Sequence, residues 1–205
     1  MKQNIEIKTF EDICSDCATW IIEYRSSIFE MPIFLIWYTN IDENNTDRVL
    51  TFQTGQIFTS SSLACIKYDI INNFNGIMPY ENLNEWLNRF VDLIPVVNYI
   101  YDIDSICNSI KTEDLDVATL EKLANFINLF DDFINQDERN ENLQIYRDNE
   151  FIVAAWHYYY DYIFLPKFND SDKFAKWDRP KLMIDNLKLL AGFLQLKQQF
   201  ENKIG

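Results

Sequence analysis

Apolar residues recur at helical spacing along most of the chain and alternate in strand fashion only between about residues 31 and 61. From the N-terminal side, Phe10, Ile13, Cys14, Cys17, Ile21 and Tyr24 share one helical face. They predict a helix over 9–26, with Thr9 as its cap and Asp12 at the capping-box position. The runs MPIFLIWYT, RVLTFQ and QIFTS then predict three antiparallel strands, the last two joined through a tight turn at Thr54-Gly55. Ser60, Ser61 and Ser62 open a second helix with Leu63, Ile66, Ile70 and Phe74 inward, ended by Asn75-Gly76.

From Pro79 onward the period is helical. Leu83, Trp86, Leu87 and Phe90 predict one helix. Val96, Ile100, Ile103, Cys107 and Ile110 predict another, although VVNYIYDI also reads as a strand. Leu115 to Ile134 is amphipathic, and 135–142 reads as a polar loop. The last helix is expected from a cap at Asp178, with Pro180 in its first turn, to Glu201. Met183, Leu187, Leu190 and Leu194 would face inward.

Between these stands EFIVAAWHYYYDYIFL, residues 150–165, apolar or aromatic on nearly every side. That pattern predicts a central helix with neighbours all round, stopped by Pro166. Its polar residues Glu150, His157 and Asp161 form a single stripe. The expected fold is α+β: a small antiparallel three-stranded sheet with helices in 1–78, then a helical remainder, 79–205, packed around the 150–165 helix. A length of 205 residues suits a single domain.

Composition sharpens this picture. Aromatics make up 16% of the chain, so the core is built from large rings, and 4 Gly leave no room for a glycine-rich phosphate loop. Against 18 Lys+Arg stand 32 Asp+Glu, net −14, which repels nucleic acid and anionic lipid and favours basic proteins as partners. The excess is local: 102–150 carries 4 basic and 13 acidic side chains, whereas 151–205 carries 8 and 6. No signal peptide or membrane span is legible, so a cytoplasmic location with reduced cysteines is expected.

Candidate chemistry is sparse. Cys14 and Cys17 form a C-x-x-C motif inside the predicted first helix, past its first turn, which favours core packing over redox or zinc chemistry. His157 is the sole histidine. With Asp161 four residues on it forms a candidate acid/base pair, although a satisfied core histidine is the plainer reading. No cofactor or metal motif is present. The pairs Asp102/Asp104, Asp131/Asp132 and Asp137/Glu138 read as solvated acidic surface.

An aromatic-rich, acidic, chemistry-poor chain has the profile of a small inhibitor, such as the immunity proteins with which bacteria neutralise cationic nuclease toxins. The expected partner-binding residues are Asp102, Asp104, Asp116, Asp131, Asp132, Asp137, Glu138, Glu141 and Tyr160. The alternatives are a small enzyme with a His157–Asp161 site, or a ligand-binding helical module.

Overall fold

The computed structural model describes residues 8–41, 44–89 and 93–205. Residues 1–7, Asp42 and Glu43 of the predicted loop, and Phe90 of the predicted third helix lie outside them. Helix accounts for 54% and strand for 15%, which makes the protein α+β. The chain packs as two compact units, 1–101 with 204–205, and 102–203. The boundary between these units falls after residue 101.

The first unit opens with α1 (Phe10–Asp16), capped as expected. Thr9 Oγ1 accepts from the Asp12 amide at 3.2 Å, and the Thr9 amide donates to the Asp12 carboxylate at 2.8 Å. The helix does not continue to 26. It ends at Cys17, where Ala18 takes a positive φ of 45°, and Thr19–Arg25 becomes strand β1. The residues TWIIEYR are aromatic and β-branched, so once the helix is broken the pleated conformation suits them better.

Strand β1 pairs antiparallel with β2 (Ile33–Asn40), which pairs antiparallel with β3 (Thr46–Val49). A fourth strand, β4 (Tyr99–Asp102), lies beside β1, giving a mixed four-stranded sheet in the order β3-β2-β1-β4. This corrects the expected three-stranded sheet in two ways. The ambiguous run VVNYIYDI divides at Asp102 into strand and helix. The run QIFTS contributes isolated bridges only, Thr51 to Ile57 and Phe34 to Ser60. The turn at Thr54-Gly55 does form, with Gly55 at φ 87°.

A 3₁₀ turn at Leu63–Cys65, α2 (Ile66–Asn72) and α3 (Leu83–Arg89) complete this unit. Its core joins Phe10, Ile21, Ile36, Phe58, Ile70 and Trp86. Tyr38 and Tyr80 stack at 3.8 Å, and the buried Tyr80 hydroxyl meets Thr19 Oγ1 at 3.1 Å.

The second unit runs α4 (Ile103–Lys111), α5 (Val117–Asn135), a 3₁₀ turn at Glu138–Leu143, α6 (Gln144–Arg147), α7 (Glu150–Tyr159), a π-helical turn at Tyr160–Phe164, α8 (Leu165–Asn169), α9 (Ser171–Lys176) and α10 (Asn186–Glu201). Its centre is α5, not the 150–165 helix. Phe126, Phe130 and Phe133 of α5 surround Phe200 of α10 at 5.5–6.4 Å, and Phe126 also meets Phe193 at 5.6 Å.

From α7 and the π turn only Ile152, Ala155, Tyr159 and Ile163 are buried. The helical path also runs past Pro166 to Asn169 rather than stopping before it. A proline inside a helix removes one amide and crowds the carbonyl four residues back; the wider π turn just before it relieves that crowding.

Helix α10 is capped by Asp185 rather than Asp178, and its inner face is Leu189, Phe193, Leu196 and Phe200. Met183 precedes it, and Leu187 and Leu194 are exposed, so the expected inner face was misplaced. Among the described residues no helix is long and apolar enough to cross a membrane.

Candidate binding face

The acidic residues expected to bind a partner are, for the most part, occupied in holding the second unit together. Asp102 caps α4, accepting from the Ser105 amide at 2.9 Å. Asp116 caps α5, accepting from the Thr119 amide at 2.7 Å, and this backbone hydrogen bond holds its carboxyl below the ordinary range. Asp137 caps the following 3₁₀ turn and grips the Arg139 guanidinium through both its oxygens, chiefly for which its pKa is lowered. Asp131 lies 3.5 Å from Arg147, and Asp104 and Asp132 have partners of their own. Within 102–150 the carboxylates therefore divide into those that cap a helix or meet a cation and those, such as Glu113, Asp114, Glu138 and Glu141, that stand exposed.

Asp137, Glu138 and Glu141 border one open groove of about 500 Å³, floored by Ile134, in which Glu138 and Glu141 are exposed without a cation. Among the described residues no group of three or more His, Cys, Asp or Glu is placed to hold a metal ion.

His157 is not a core histidine. It is exposed, meets the Trp156 ring at 5.2 Å, and shares no hydrogen bond with Asp161, which is also exposed. The helical stripe on which the pair was placed is real, but it faces outward. Cys14 and Cys17 lie in the core of the first unit. Burial pushes the Cys14 thiol up to about 11, and burial raises Cys17 despite the nearby Arg89. Such thiols are poor nucleophiles at neutral pH.

The feature that sequence reasoning underread is aromatic. Trp156, Tyr160, Phe164 and Phe168 recur every fourth residue and stack in succession. The ring centroids are 5.2, 5.6 and 6.1 Å apart, with planes within 7°, 21° and 18° of parallel. In a regular helix each four-residue step rotates by about 40°, so such a column would wind away around the axis. The π turn across 160–164 takes up that drift and keeps the rings in line.

At the Trp156 end the column is anchored. Trp156 Nε1 donates to Asn128 of α5 at 2.7 Å, and the Arg147 guanidinium lies 5.5 Å over its ring. At the other end Phe168 is 79% exposed, with Tyr160 at 36% and Phe164 at 42% between. Beside it Tyr162 stacks on Trp177 at 6.2 Å and meets the tilted ring of Tyr158 at 5.2 Å, and the Tyr158 hydroxyl donates to the Pro180 carbonyl at 2.6 Å. Tyr160, alone among the expected partner-binding residues, is in this aromatic face. The i, i+4 spacing of the rings was visible in the sequence; the expectation of an all-round buried helix obscured it.

No protein-family model matches the chain, and no curated protein does. Among solved structures it is similar to the SatS C-terminal domain, crystallised in complex with bromine. The TM-score is 0.57 over 95% of this chain and 96% of that one, at 9% identity. Likeness at that identity speaks to the fold alone.

Proposed function

We propose that this chain is a binding protein that neutralises a positively charged protein, in the manner of an immunity protein acting on a cationic toxin such as a nuclease. The observation that carries the reading is the groove bordered by Asp137, Glu138 and Glu141, where two carboxylates stand exposed and uncompensated on a unit of 12 basic and 19 acidic side chains. A field of this sign steers cationic partners and raises their association rate. The poverty of other chemistry fits the same reading: the buried thiols are held protonated, and His157 has no polar partner.

The test is titration of the protein against a panel of purified cationic nuclease domains. The expected result is stoichiometric inhibition of at least one, with an association rate that falls steeply with added salt. Glu138→Lys with Glu141→Lys should slow that association by about tenfold or more. Inhibition of none, or rates indifferent to the double reversal, would overturn the reading.

A further inference from the structure

Helix α4 is closed by an unusual residue. Thr112 ends the helix, the Glu113 amide donates to the Ile110 carbonyl at 3.2 Å, and the Asp114 amide donates to the Ser109 carbonyl at 2.9 Å. This pair of hydrogen bonds is the Schellman motif, whose left-handed position is ordinarily glycine. Here Glu113 occupies it, at φ 58°. Glycine takes that conformation without strain, so the backbone gains nothing from a glutamate there. Strain of this kind collects at binding sites, and the side chain of Glu113 stands at one.

Glu113 lines a half-open cleft of about 670 Å³ within the second unit, a volume ordinary for a small-molecule site. Leu115, Tyr158 and the segment 177–184 form the rest of its wall. The Tyr158 hydroxyl, bonded to the Pro180 carbonyl, ties that segment to α7. Two carboxylates, Glu113 and Asp178, and two cations, Arg179 and Lys181, share the cleft. Among the described residues none of the four forms an ion pair, with each other or with a third residue. Arg179 lies instead 4.8 Å over the Phe174 ring. Opposite charges that line one cleft and stay apart are each open to a ligand group of the other sign. A molecule that carries both signs satisfies both; a plain anion or cation brings its charge against one like pair. Between them Trp177, 41% exposed with Tyr162 stacked on it, and the side chains of Leu182 and Ile184 supply apolar wall.

We propose that this cleft binds a small zwitterion with an apolar or aromatic body, of the α-amino-acid class. Glu113 and Asp178 take the ammonium group, Arg179 takes the carboxylate with Lys181 beside it, and Trp177 with the apolar wall takes the side chain. Glutamate is retained at the left-handed position of α4 because its carboxylate serves the ligand. The site needs nothing from the function proposed above, and it lies on different residues from the groove at Glu138 and Glu141.

The test is titration of the full chain, followed by ligand-observed NMR, with L-tryptophan, with tryptamine, which keeps only the ammonium, and with indole-3-propionate, which keeps only the carboxylate. L-Tryptophan is expected to saturate with a dissociation constant of about 0.1–1 mM, and each single-charge analogue to bind about tenfold more weakly. Glu113→Gly should raise the unfolding temperature, because glycine relieves the left-handed position, and yet weaken L-tryptophan by about tenfold. Glu113→Gln, which leaves the backbone as it is, should weaken L-tryptophan likewise and spare indole-3-propionate. Arg179→Gln should weaken L-tryptophan and indole-3-propionate and spare tryptamine. A glutamate with a structural role alone would give the stability change without the affinity change, and that result overturns the site. Tryptamine or indole-3-propionate binding as well as L-tryptophan would overturn the zwitterion, since one charge would then suffice. No saturable binding of L-tryptophan, L-phenylalanine or L-leucine would overturn the proposal outright.

Discussion

Asn149 shows how much can hang on one side chain. Its Oδ1 accepts from the amides of Phe151 and Ile152 at 3.0 and 3.4 Å and so starts the helix that carries the aromatic column. Gly192 of α10 passes directly behind it: a Cβ there would stand 2.9 Å from that same oxygen. The oxygen is fixed by two hydrogen bonds and has nowhere to go. Gly192→Ala should therefore destabilise the second unit by about 1–2 kcal/mol, the size of a lost N-cap, rather than give the usual small gain of alanine over glycine in a helix. Urea unfolding measures it, and Asn149→Ala in the alanine background should add little, because the two changes break the same contact.

At the scale of elements, burial rather than aromatic content separates scaffold from surface. Phe126 of α5 is fully buried against Phe193 and Phe200, whereas Phe168 of α8 is mostly in solvent. Phe126→Ala should cost about 3–5 kcal/mol, and Phe168→Ala no more than about 0.5, in thermal or denaturant unfolding. The reverse order would mean that the column is structural.

The sequence was read well where local chemistry decides: the Thr9/Asp12 capping box, the Gly55 turn and the amphipathic α5 all stand where the pattern placed them. It was read poorly where a tertiary choice decides. Helix spacing through Cys17, Ile21 and Tyr24 hid a break at Ala18, because residues that suit one helical face suit a doubly buried strand equally. Asp102 and Asp116 looked like surface charge, yet each stands immediately before an apolar helical period, the ordinary place of a cap. The column was missed because an aromatic run was taken as core, and because no local rule foretells a π turn.

The whole molecule adds a constraint that neither residues nor elements show. Ile57 bridges to Ile204, the Gly205 amide donates to the Ile57 carbonyl at 3.2 Å, and Thr59 donates to the Gly205 carbonyl across 146 residues of chain. Closing so long a loop carries a large entropic cost, which the hairpin contacts among β1, β2 and β3 do not bear. The closing clasp should therefore form after the folding barrier has been crossed. Ile204→Ala is expected to leave the refolding rate nearly unchanged and to quicken unfolding, as stopped-flow chevrons would record. The first unit thus keeps its native lifetime, though not its speed of formation, through a contact with the far end of the sequence.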